Sequence, residues 1–490
     1  MLLLGIDIGT SSIKASVVDA ATSKCIATAQ YPETESAITA LQPGWAEQSP
    51  EQWWQDMQQA VLKLNATKKF NPKEIAAIGI AYQMHGLVCV DKEKNVLRNS
   101  IIWCDSRAVP YGEKAFNAIG AEKSLAHLLN SPGNFTAAKL AWVKENEPVL
   151  YSSLDKIMLP GDFISMKLTG EVNTTIPSLS EGIFWDFKNE QLSDDVFNFF
   201  GFDKNIIPSV LPVFTDYGKL LRTVAETLSL TAGIPVTYKA GDQPNNALSL
   251  NVMQPGEVAA TAGTSGVIYA VADGLVYDAQ SRINSFAHVN YTSAEQNVGV
   301  LLCINGTGIL NRWIKNLAGN YSYQQMNEMA AAIPAGSEGV FILPFGNGAE
   351  RMLNNKVTHA HISNIDFNKH TQAHLFRAAQ EGIAFAFRYG LDIMKQNKIL
   401  PKVIRAGHAN LFLSDLFIDS FVNVTNTPVE LFGCDGSVGA AIGAGIGVGH
   451  YKNAKDAFNH IKAIKTIEPT NAKLYDGLYM EWTECLGKAQ

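Results

Sequence analysis

Two aspartates stand where an α/β chain can do chemistry. Asp7 lies at the end of an apolar run, in Gly5-Ile6-Asp7-Ile8-Gly9-Thr10-Ser11. A glycine turn rich in hydroxyls offers backbone N–H groups to an anion. A carboxylate beside such a turn repels a phosphate unless a divalent cation sits between them. Asp7 with Gly9, Thr10 and Ser11 is therefore expected to form a Mg²⁺-phosphate corner, the metal held largely through water. Asp242 stands at the end of a second expected strand, Val236 to Gly241, and Gln243-Pro244-Asn245-Asn246 follows. Ligands of α/β proteins gather at strand ends, so Asp242 is a candidate general base and Gln243 its hydrogen-bonding neighbour. The competing role for Asp242 is a helix N-cap.

Between two apolar runs, Gln83-Met84-His85-Gly86 displays polar side chains as a cleft loop would. Arg405-Ala406-Gly407-His408-Ala409-Asn410 is a glycine turn able to seat an adenine or ribose. Gly439 to Gly445 reads as a small-faced buried helix that lets another element pack closely.

The elements that must position these groups form a repeated pattern. Leu2–Ile8 and Ile13–Val18 flank Gly9-Thr10-Ser11; Glu257–Ala262 and Val267–Val271 flank Gly263-Thr264-Ser265. The two Gly-Thr-Ser turns are about half a chain apart, which points to an internal duplication. Strands are expected at Ile75–Ala81 and Gly86–Val90, and a helix at Leu411–Phe421. Ser49-Pro50-Glu51-Gln52 reads as a helix start. Strands alternating with helices give an α/β class, with two domains, 1–247 and 248–490, and a cleft between them.

Composition narrows the function. The chain has 490 residues, 47% hydrophobic and 17% charged, and exceeds what one core usually holds. A net charge of -7 argues against nucleic acid or an anionic membrane as partner. Cys25, Cys89, Cys104, Cys303, Cys434 and Cys485 are scattered, which suggests reduced thiols and a cytoplasmic setting. No basic leader precedes Asp7, and the apolar run Val438–Val448 is short of the roughly 20 residues that span a bilayer.

In order along the chain, these segments resemble the FGGY carbohydrate kinases, together with Trp45 to Trp54 and Asn134-Phe135-Thr136-Ala137-Ala138-Lys139-Leu140-Ala141-Trp142. The resemblance implies two duplicated actin-like, ribonuclease-H-like domains with an ATP- and sugar-binding cleft. It implies ATP-dependent phosphorylation of a sugar, with Mg²⁺. Asp242 and Asp7 would be catalytic, and Gln83, Met84, His85 and Gln243 would meet the sugar. Gly9, Thr10, Ser11, Gly263 and Thr264 would meet the phosphates. Gly308, Gly407, Arg312 and Asn410 would border the nucleotide. Gln83-Met84-His85-Gly86 is similar to the loop of xylulokinases, which makes D-xylulose the expected sugar. Ribulose, gluconate and glycerol are the alternatives, and an actin-like ATPase without transfer is the rival class. A small-molecule sugar and ATP are the expected partners, with a homodimer as the candidate assembly.

Overall fold

A computed structural model describes residues 1–433 and 435–490. Cys434 lies outside the described residues. The chain divides into two compact units. The first holds Met1–Met253, Phe286–Val298 and Cys434–Lys462; the second holds Gln254–Ser285, Gly299–Gly433 and Ala463–Gln490. The division at 247/248 expected from the sequence thus misses two returns of the chain to the first unit.

The first unit is built on a five-stranded sheet. Its order is Val236–Gly241, Ile75–Tyr82, Leu2–Ile8, Ile13–Asp19, Lys24–Tyr31. The first three strands run parallel, and the last three form an antiparallel meander. In the second unit, strands pair in the same sequence: Val429–Phe432, Val403–Gly407, Glu257–Ala262, Gly266–Asp273, Asn297–Ile304. Again the hairpin Glu257–Ala262/Gly266–Asp273 is antiparallel, while Glu257–Ala262, Val403–Gly407 and Val429–Phe432 are parallel. One strand order used twice is what a duplicated fold requires.

Helices cover the first sheet on both faces. Pro50–Ala66 packs Trp53, Met57, Val61 and Leu64 into a core with Leu4, Ile6 and Ile80. Ser49 caps this helix, its hydroxyl accepting the Gln52 N–H at 3.3 Å. The helix Gly436–Gly447 covers the other face, among Leu3, Ala77, Ala81 and Tyr238. Its small residues allow near contact of backbones: a Cβ on Gly5 would meet the Ser437 carbonyl oxygen at 1.8 Å. This helix reads as close-packing from sequence, yet its sheet partners, Leu3 to Tyr238, lie about 200 to 440 positions earlier in the chain.

Two local expectations shift. The strand after the Gln83-Met84-His85 loop is Val88–Val90, because His85 turns in the left-handed region (φ 63°) before it. Asn410–Leu413 is a 3₁₀ turn, and Ser414 caps a new helix, Asp415–Thr425, by accepting the Phe417 N–H at 3.3 Å. Cys25, Cys89, Cys104 and Cys485 are free thiols. Among the described residues, no helix is long and apolar enough to cross a membrane.

Candidate active site

In the first unit, strand ends carry the expected chemistry to one place. Asp7 ends its strand beside Gly436, where a Cβ would lie 2.3 Å from Asp7 Oδ2 and 3.7 Å from Asn245 Nδ2. Asn245, fully buried, donates to the Gly436 carbonyl at 2.8 Å. Asp435 caps the same helix through the Ser437 N–H at 2.9 Å and pairs with Lys14 at 3.1 Å. Burial, then the Asp435 charge, pushes the Asp7 carboxyl up to about 6, against the pull of Lys14.

Asp242 is the first residue of the helix Asp242–Ser249, and Gly241 occupies the N-cap position. The capping role weighed for Asp242 is therefore not what this backbone gives it. Burial raises its carboxyl to about 7, the Asp7 charge adds to the rise, and Gln243 counters it through backbone and side-chain hydrogen bonds. Glu181, 2% exposed, also feels Asp242. Burial above all, with repulsion from Asp242 and Asp162, holds Glu181 well above the usual carboxylate range. A side chain begun on Gly241 would meet Met84 Cγ at 2.6 Å and Glu181 Oε2 at 2.8 Å. Met84, Glu181 and Asp242 therefore close on one strand end.

His85 is half-buried. Its Nδ1 is 3.1 Å from the Glu181 carbonyl oxygen. A carbonyl only accepts, so Nδ1 carries the hydrogen. The ring stands edge-on to Phe135, with centroids 4.8 Å apart, and lies 5.4 Å from Phe286.

The Gly9-Thr10-Ser11 turn is braced rather than loose. The Thr10 hydroxyl donates to Gln83 Oε1 at 3.1 Å and accepts from Trp103 Nε1 at 2.9 Å. The Gln83 amide nitrogen donates to Gln48 Oε1 at 3.0 Å, and Gln48 Nε2 returns to the Thr10 carbonyl at 2.8 Å. The ring of bonds ties the Gly9-Thr10-Ser11 turn to the Gln83-Met84-His85 loop. It also differs from expectation: the Thr10 proton and both ends of the Gln83 amide are engaged inside the protein. Gly9 is half-buried and Ser11 exposed.

In the second unit, Gly263, Thr264, Gly308, Arg312 and Asn410 line one cavity of about 340 Å³. Tyr323, Asn327, Asn311 and Ser414 complete its polar wall. The Gly308 N–H donates to the Gly263 carbonyl at 2.9 Å, and the Ile309 N–H to Thr264 at 3.1 Å. The turn and the start of the helix Gly308–Ala318 are thereby locked together. Gly407 is not among the lining residues; it ends its strand behind Asn410, where Ala409 N–H donates to its carbonyl at 2.8 Å.

Sequence reasoning missed Glu181, Gln48, Trp103, Asp435, Asn327 and Tyr323. Gln48 lies in a segment singled out only as a resemblance, Trp103 lies in a turn and Asp435 is a helix N-cap, but none falls within the motifs read as chemistry. Lys139 lies inside a segment singled out only as a resemblance.

Comparison with known families also divides the chain in two. The model of the FGGY family of carbohydrate kinases, N-terminal domain, matches residues 2–249, and that of the C-terminal domain matches 258–448. The xylulose kinase of Bacillus subtilis (strain 168) is 28% identical over 464 residues, covering 93% of this chain and 90% of that protein. The crystal structure of xylulose kinase from Rhodospirillum rubrum superposes with a TM-score of 0.88 at 25% identity, over 100% of this chain and 99% of that one. Gluconate kinase from Lactobacillus acidophilus gives the same TM-score, 0.88, at 20% identity over 99% and 98% of the two chains, so backbone likeness does not distinguish sugars. With residues 2–249 and 258–448 matched by the two halves of one family, and each half carrying its own Gly-Thr-Ser hairpin, the chain belongs to the FGGY family of carbohydrate kinases.

Proposed function

We propose that this carbohydrate kinase transfers the γ-phosphoryl group of ATP to the 5-hydroxyl of D-xylulose. The observation that carries the reading is the meeting of Met84 and Glu181 at the Gly241 strand end, which Asp242 follows, with His85 held against the Glu181 main chain. The xylulose kinases among its relatives support the choice of sugar. The use of ATP assigns the reaction to the cytoplasm.

Phosphoryl transfer asks a protein chiefly for positioning and charge neutralisation. Asp242 accepts the proton of the sugar hydroxyl. A carboxyl raised to about 7 is a better matched base near neutral pH than an ordinary aspartate. Met84 and His85 orient the sugar, while Gln83 braces their loop against Thr10. The second-unit cavity holds the nucleotide, with Gly263, Thr264 and Gly308 near its phosphates and Arg312 and Asn410 beside it.

A divalent cation fits the donor set at Asp7. This carboxyl is buried and repelled by Asp435, costs that a cation offsets. Among the described residues, no three His, Cys, Asp or Glu side chains gather as a cage. Mg²⁺ commonly takes one or two carboxylates and fills its shell with water and phosphate oxygens. Bound there, it would neutralise charge on the transferring phosphate.

A panel of D-xylulose, ribulose, gluconate and glycerol in an ADP-release assay tests the reading. D-xylulose should give the highest kcat/KM, and only with Mg²⁺. Stronger turnover with gluconate or glycerol, and none with D-xylulose, would reassign the sugar and leave the family intact.

A further inference from the structure

Lys139 is completely buried in the helix Thr136–Asn146. Among the described residues its ammonium donates to the carbonyl of His85, at 2.7 Å. Burying an ammonium is costly, and burial pushes this one down from 10.5 to about 7, against the pull of Asp105. An apolar side chain would fill the same volume at no such cost. The lysine is therefore explained by what it holds.

What it holds is a turn that resists forming. His85 has φ 63°, a region that a residue with a Cβ seldom adopts. Four contacts keep it there. Lys139 and Thr136 Oγ1, the latter at 3.3 Å, both donate to its carbonyl. Its N–H donates to the Glu181 carboxyl. Its ring Nδ1 donates to the Glu181 main chain at 3.1 Å. Helix and loop come from segments about 50 positions apart, so only the folded chain joins them.

We propose that Lys139 is a positioning residue for the sugar: by gripping the His85 carbonyl it sets the turn that aims the His85 ring, and it touches no substrate itself. The proposal rests on His85 facing the sugar.

A double-mutant cycle tests it, with steady-state kinetics on the best sugar of the panel. Lys139→Met should raise the sugar KM by about tenfold while the ATP KM stays within about twofold, the pattern of lost substrate binding. Lys139→Arg should recover part of the loss. In a His85→Ala background, Lys139→Met should change the sugar KM by less than about twofold, because the side chain it aims is gone. Additive losses in the double variant, or an ATP KM that rises as much as the sugar KM, would overturn the proposal alone. An unchanged sugar KM in His85→Ala would overturn the sugar-site reading and this proposal with it. Should Lys139→Met fail to fold, Thr136→Val removes the second donor to the same carbonyl. It should raise the sugar KM about threefold, again only when His85 is present; an equal rise without His85 overturns the proposal.

Discussion

At the scale of single residues, the site holds carboxylates that folding alone would not choose. Asp7, Asp242 and Glu181 are all shifted upward, each mainly by burial. A carboxyl whose folded pKa exceeds its unfolded value keeps a proton that the unfolded chain releases. Stability then falls as pH rises between the two values, for Asp242 between its ordinary 3.8 and about 7. Asp242→Asn removes that cost and the base together. We expect kcat to drop by ~10²–10⁴-fold while the ligand-free protein melts about 2–4 °C higher at pH 7.5, the gap closing toward pH 4. Kinetics beside melts at both pH values check this. A variant that is nearly active, or no more stable than wild type at pH 7.5, would contradict the assignment.

At the scale of elements, the two Gly-Thr-Ser hairpins are built alike but held differently. The first is tied by side chains, Thr10 to Gln83 and Trp103. The second is tied by backbone, Gly263 and Thr264 to the helix start at Gly308 and Ile309. That backbone grip leaves no room for a side chain: a Cβ on Gly308 would sit 2.4 Å from the Gly263 carbonyl oxygen. Gly308→Ala should force the turn off the helix and reshape the cavity. The expected result is an ATP KM raised by about tenfold or more with the sugar KM nearly unchanged, a loss of about 1–3 kcal/mol of the kind that overpacking causes. A variant with wild-type ATP kinetics would remove this cavity from the nucleotide site.

At the scale of the whole chain, the first unit is discontinuous. Its sheet is made early, but the helix on one face, Gly436–Gly447, is made last. Without it, Leu3, Ala77, Ala81 and Tyr238 lose their cover. Apolar burial contributes about 25 cal/mol per Å², so a bare sheet face is a large deficit against a total stability of about 5–15 kcal/mol. A chain ended after Met253 should therefore lack a cooperative melt and bind a hydrophobic dye, whereas the full chain melts cooperatively. A truncated chain that unfolds sharply and binds no dye would show that the early segment is self-sufficient.

Much of this protein was legible from residues alone. The α/β class, the two hairpins, the strand ends at Asp7 and Asp242 and the Ser49 cap are local patterns, set by side-chain period and turn chemistry. The grouping of Gly263 with Gly308, and the meeting of Met84 with Gly241, were anticipated only through resemblance to a family. Three things needed the tertiary structure. The helix Gly436–Gly447 reads locally as a tight packer, but nothing local says that its sheet lies at the other end of the chain. Thr10 and Gln83 read as ligand contacts because free hydroxyls and amides bind ligands; only the fold shows Thr10 donating to Gln83 and the Gln83 amide donating to Gln48. Glu181 carries no motif, and Lys139 sits in a segment marked only by family resemblance. Their effect comes from burial and from neighbours 40 or more positions away, Asp242 for one and the His85 carbonyl for the other. Charge and hydrogen bonding act through space, and a linear sequence records types and order but not which groups share a dry volume.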